Sequence, residues 1–134
     1  MAVKFSVAEG GFIQDTSGGG SNKVEFKVQG DIENPNLVPF TSPSYTSTGM
    51  TINLATLAIN NGQIGTFKLE VRSADLDGTN ETTHISGTVT VSTAAPQGLS
   101  LTVGTPTIAA NKVIKLYLQY LTGAKSSDIS VTLE

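Results

Sequence analysis

The side chains able to do chemistry are few and scattered along the chain. His84 is the single histidine and there is no cysteine, so thiol catalysis and thiolate metal sites are excluded. A Ser-His-Asp set would have to combine His84 with Asp75 or Asp77 and a nearby serine. No G-x-S-x-G turn presents such a nucleophile, and His84, which follows a polar turn, is expected at the surface. The segment "ADLDGTNE" gathers Asp75, Asp77, Asn80 and Glu81 into one candidate calcium loop, although Gly78 directly follows Asp77 and breaks the EF-hand order. An Asp-Gly hairpin turn is the competing use of the same residues. No metal and no cofactor is expected. Glu25 and Glu70 lie beside lysines in alternating segments, where charge pairing on a wet strand face accounts for them without catalysis. Tyr117 falls on the polar face of its segment and is a candidate glycan contact.

The glycine run in "IQDTSGGGSN" is followed by the alternating "KVEFKVQ" and not by a helix, so it does not have the form of a phosphate-binding loop. Its two readings are a flexible connection and a docking loop, with Ser17, Gly18, Gly19 and Gly20 as candidate partner contacts.

The elements that position these residues have period two. Val24, Phe26 and Val28 alternate with Lys23, Glu25 and Lys27, and Phe67, Leu69 and Val71 alternate with Lys68, Glu70 and Arg72. The pattern recurs at Val3–Val7, Met50–Leu54, Ile85–Val91, Leu99–Val103, Ile114–Leu118 and Ile129–Leu133. Successive strand side chains point to opposite faces, so each segment is a half-buried strand. The expectation is all-β: an antiparallel β-sandwich or jelly roll of about eight strands, as one domain over residues 1–134. Only "NLATLAIN" at 53–60 offers a turn or two of helix, with Asn53 as its cap.

Residues 30–48 break the alternation, with prolines at 35, 39 and 43. Proline removes a ladder donor, so this arm is no internal strand. Leu37, Val38, Phe40 and Tyr45 make it more apolar than a linker needs, and they are candidate partner contacts. The competing reading folds the arm over its own sheet edge.

Net charge is −3, the eight basic residues form no stripe, and Ser and Thr outnumber all charged residues, so no nucleic-acid partner is expected. No segment reaches the ~20 apolar residues of a membrane helix, and no export signal opens the sequence, so synthesis in the cytoplasm and no membrane partner are expected.

In "QDTSGGGSN", "ENPNLVPFTSPSYTST" and hydroxyl-rich strands such as "SGTVTVS", the chain resembles bacteriophage virion accessory proteins of the capsid decoration or cement class. The resemblance implies a non-enzymatic virion structural protein, made in the host cytoplasm and assembled as a homotrimer or on a lattice. It would bind a major capsid or other virion protein through the arm and the glycine loop. The alternative is an extracellular glycan-binding or adhesion-type β-sandwich module, contacting its ligand through Tyr117 or the acidic loop.

Overall fold

The computed structural model describes residues 23–41 and 43–134. Among them are eleven strands and no helix: β1 (Val24–Asp31), β2 (Val38–Pro39), β3 (Ser44–Thr46), β4 (Met50–Thr51), β5 (Ala55–Asn61), β6 (Gly65–Ala74), β7 (Thr82–Val91), β8 (Gln97–Ser100), β9 (Thr107–Ile108), β10 (Lys112–Gly123) and β11 (Ser127–Leu133).

The pairing is nested. β6 pairs with β7, β5 with β8, β4 with β9, β2 and β3 with β10, and β1 with β11, all antiparallel. This is one long ribbon of strand pairs. It rolls up because β11 also pairs with β5 and β10 with β6, giving the sheet orders β1-β11-β5-β8 and β2-β10-β6-β7, with β3 beside β2 along β10. Counting β2 and β3 as one interrupted strand, eight strands form two facing sheets, which is the jelly-roll arrangement.

The apolar half of each alternating segment fills the space between the sheets. Val24, Phe26 and Val28 face Phe67, Leu69 and Val71 across a core that also takes Ile114, Leu116, Leu118, Ile129, Val131 and Leu133. Fully burying a side chain of this size contributes about 1.5 to 3 kcal/mol, so the core alone can hold a cysteine-free chain together.

Three sequence expectations are corrected. Residues 53–60 contain no helix, because Leu57 and Ile59 alternate inward along β5 between β11 and β8. The strand expected over Met50–Leu54 shrinks to two residues, and Leu54 is exposed. The strand expected at Leu99–Val103 ends at Ser100, after which Leu101 N–H donates once more to Ala55 O at 2.8 Å and the chain turns away. The strand expected at Val3–Val7 lies outside the described residues.

Candidate functional site

The outer face of the second sheet carries a polar network assembled by register. Lys68, Glu70 and Arg72 alternate outward on β6. β10 places Tyr117 opposite Glu70 and Lys115 opposite Arg72, and β7 places Ser86 opposite Glu70. Arg72 and Lys115 are therefore like charges directly across a strand pair, an arrangement that is unfavourable unless neutralised. The β6–β7 connection brings Glu81 over them. Its Oε1 accepts from Arg72 Nη1 at 3.2 Å, and its Oε2 accepts from the Tyr117 hydroxyl at 2.7 Å and from Lys115 Nζ at 2.9 Å.

Glu70 is the other anchor. It is only 7% exposed, and its Oε1 accepts from Arg72 Nε at 2.8 Å and Nη2 at 2.6 Å. Oε2 accepts from Ser86 Oγ at 3.0 Å and lies 3.4 Å from Lys68 Nζ. Burial pushes the Glu70 carboxyl up, but the bonds from Arg72 and Ser86 outweigh it and leave the group below its ordinary value. The hydrogen bonds from Lys115 and the Tyr117 hydroxyl hold Glu81 at about 2. Both carboxylates are thus fixed acceptors, already engaged by groups of this chain, and neither has the raised pKa of a general acid.

The guanidinium carbon of Arg72 stands 4.1 Å from the Tyr117 ring centroid, and Tyr117 is 8% exposed. This corrects the expectation that Tyr117 offers an open platform: the ring is a support for Arg72. Glu70 likewise departs from the expected wet face, whereas Glu25 is exposed on β1.

His84 is also placed differently from expectation. The register of β6 and β7 jumps from Val71–Ile85 to Arg72–Thr83, so His84 is an extra residue in β7, a bulge that turns its ring inward. It is 2% exposed, with Nδ1 2.7 Å from Thr105 O and Nε2 2.7 Å from Ser73 Oγ. A carbonyl only accepts, so Nδ1 donates to Thr105 O. The backbone oxygen of His84 accepts from Gly104 N–H and Thr105 N–H, tying the loop after β8 to the bulge.

The acidic loop does not converge on a point. Asp75 pairs with Lys112 and accepts from Asn80 Nδ2 at 2.7 Å, Asp77 accepts from the Thr79 backbone and hydroxyl, and Glu81 belongs to the network. Among the described residues no three acidic or histidine side chains gather as a metal site. The loop is instead a hairpin turn, closed by Asp75 N–H to Thr79 O at 2.8 Å.

The arm lies along β10. Phe40 N–H donates to Leu116 O at 2.9 Å, Tyr120 N–H to Asn34 O at 2.7 Å, and Gln119 Nε2 to Pro35 O at 2.8 Å. Phe40 packs on the core, Leu37 and Val38 are half-buried, and Tyr45 is 44% exposed, its hydroxyl donating to Asn111 Oδ1 at 2.8 Å. The arm therefore covers the sheet edge that β10 would otherwise present. Ser17, Gly18, Gly19 and Gly20 lie outside the described residues.

The opposite flank is different in kind. β7 and β8 end their sheets, and between Glu81 and Lys112 thirty consecutive residues contain no Asp, Glu, Lys or Arg. Where the two edges meet, an open groove of about 180 Å³ is lined by Leu69, Ile85, Val89 and Leu101, with Ser86, Gly87, Thr88, Ser100 and Thr102 around them. It is smaller than the ~300 Å³ at which small-molecule pockets begin, and its shape is a slot between strands. The charge-free run is visible in the sequence, but its meaning depends on β7 and β8 sharing a flank.

No protein-family model matches the sequence, and neither does any curated protein. Among solved structures the chain is similar to PirA, at 10% identity over 90% of this chain and 100% of that one, with a TM-score of 0.43. It is similar to infectious bursal disease virus, Gx strain, at 9% identity over 98% of this chain, with a TM-score of 0.44; the match spans only 36% of the virus chain. It is also similar to the Eiger TNF from S. frugiperda, at 11% identity over 90% of this chain and 87% of that one, with a TM-score of 0.42. Likenesses this distant carry no functional weight, and the β-sandwich assignment stands on the strand pairing above.

Proposed function

We propose that the protein is a non-enzymatic structural component of a virus particle, a decoration or cement protein that braces a capsid shell through protein–protein contacts. The observation that carries this reading is the uncharged flank formed by β7, β8 and their connections. Depletion of charged residues marks the cores of protein interfaces, whereas a free surface normally mixes charges for solubility.

The polar network supports the absence of catalysis. Glu70, Arg72, Glu81, Lys115 and Tyr117 are closed on one another, so the face is a rigid brace with no acid, base or nucleophile held in reserve. The glycan-binding alternative loses its aromatic platform with Tyr117 buried under Arg72.

The test is density-gradient sedimentation of lysates from cells that naturally produce the chain. Co-banding with particles, at a fixed ratio to the major shell protein, supports the assignment. Recovery only in the free-protein fractions overturns it.

A further inference from the structure

We propose that β7 is a strand-docking edge whose occupant is β7 of a second copy of this chain, paired antiparallel across a twofold axis.

Four observations converge on this edge. First, β7 terminates its sheet, and beyond the two bonds at His84 O no described residue meets its outer backbone from Ile85 to Val91. A row of unpaired N–H and C=O groups templates another strand. Second, the devices that usually blunt such an edge are missing, since "ISGTVTV" contains neither a charge nor a proline and the bulge at His84 lies before it.

Third, Gly87 sits in the middle of this run, where its own chain leaves open space. A side chain there would meet nothing within 4 Å, and its φ lies outside the positive range that favours glycine. Glycine weakens a strand interior and marks places where another backbone approaches closely. Gly87 lines the groove beside Leu101, so the space over it stays open to an approaching partner.

Fourth, the charge pattern selects the partner. A twofold interface sets each patch against its own copy, so any charge near the axis meets its like. β1, the edge on the far side, carries Glu25, Lys27 and Asp31, while β7 and the neighbouring β8 carry none. Across the axis, the hydroxyls of Thr88 and Thr90 are self-complementary as donors and acceptors. The groove holding Leu101 continues the contact below the strand.

Self-pairing deepens the assembly reading, and the two fail separately, because solution mass reports on the edge and particle banding on the shell. The experiment is light scattering over a concentration series, run on the full chain and on Gly87→Val. The full chain is expected to move from one-chain to two-chain mass. Gly87→Val, for which the isolated chain has room, is expected to keep the circular dichroism of the parent while its dimer dissociation constant rises by about tenfold or more. Thr88→Cys, the only cysteine in its chain, is expected to give a disulfide-linked pair under oxidation, and this readout still decides if Gly87→Val fails to fold.

A full chain that keeps one-chain mass throughout overturns the proposal, as does a Gly87→Val variant that pairs like the parent. Slow hydrogen exchange along Ile85–Val91 in a monomer, relieved by deleting residues 1–22, also overturns it and assigns the edge to the start of the same chain.

Discussion

Ser73 Oγ and His84 Nε2 meet at 2.7 Å between β6 and β7, with Ser73 3% and His84 2% exposed. The contact has the spacing of a nucleophile and its base, but the third member is the backbone oxygen of Thr105 and no substrate can reach the pair. Its role is to hold the β7 bulge and the loop after β8 in one place. The closed carboxylates of the neighbouring face lead to the same reading, in which polar groups build a rigid body.

His84→Ala should therefore act on stability. It removes the partner of the buried Ser73 hydroxyl and leaves a cavity, for an expected loss of about 2 to 4 kcal/mol. Urea unfolding should show a lower midpoint with an unchanged slope. An unchanged midpoint would mean that the bulge is held by something else.

Glu70→Ala should cost about 2 to 3 kcal/mol, because Arg72 and Ser86 lose a charged acceptor that is 7% exposed. Glu25→Ala, on an exposed face, should stay within about 0.5 kcal/mol. Equal effects at the two positions would contradict the network.

Acid should unfold the protein by way of these carboxylates. Glu81 sits at about 2 in the folded chain against an ordinary 4.5, so its contribution is fully present above about pH 4.5 and is lost as the pH falls towards 2. Glu70 is shifted in the same direction and adds to the loss. Urea midpoints measured from pH 7 to pH 2 should be nearly flat at first and then fall, and Glu81→Gln should make the fall shallower. A decline centred near pH 6 would implicate a different group.

Gly123 and Gly78 both have positive φ, at 82° and 87°, but differ in space. A Cβ on Gly123 would stand 2.5 Å from Gly65 Cα, while one on Gly78 meets nothing within 4 Å. Gly123→Ala should cost about 3 to 5 kcal/mol and Gly78→Ala only about 1 to 2, since strain alone applies at the turn. Thermal midpoints of the two variants give the comparison.

Much of the fold was legible because strand side chains repeat every two residues and the core needs one apolar face per strand. Phe67–Leu69–Val71 and Ile114–Leu116–Leu118 each read directly as the apolar face of a strand. Residues 53–60 misled because Leu54, Leu57 and Ala58 fit a helical stripe as well as a strand. His84 misled because one inserted residue reverses which face a side chain takes, and periodicity cannot register a bulge. The network was only half visible. The outward Lys68, Glu70 and Arg72 are apparent in the sequence, but pairing β10 with β6 and draping Glu81 over Arg72 and Lys115 are tertiary facts. The arm showed its prolines and apolar side chains, yet only the sheet order reveals the β10 edge beneath it.

Titrating purified protein onto particles that lack it, and counting bound copies, asks whether this β-sandwich acts as a particle component through protein contacts. Saturation at a fixed number per particle is expected, with bound particles surviving heating better than bare ones. Failure to bind such particles, with recovery of a defined glycan or a turnover activity instead, would contradict it.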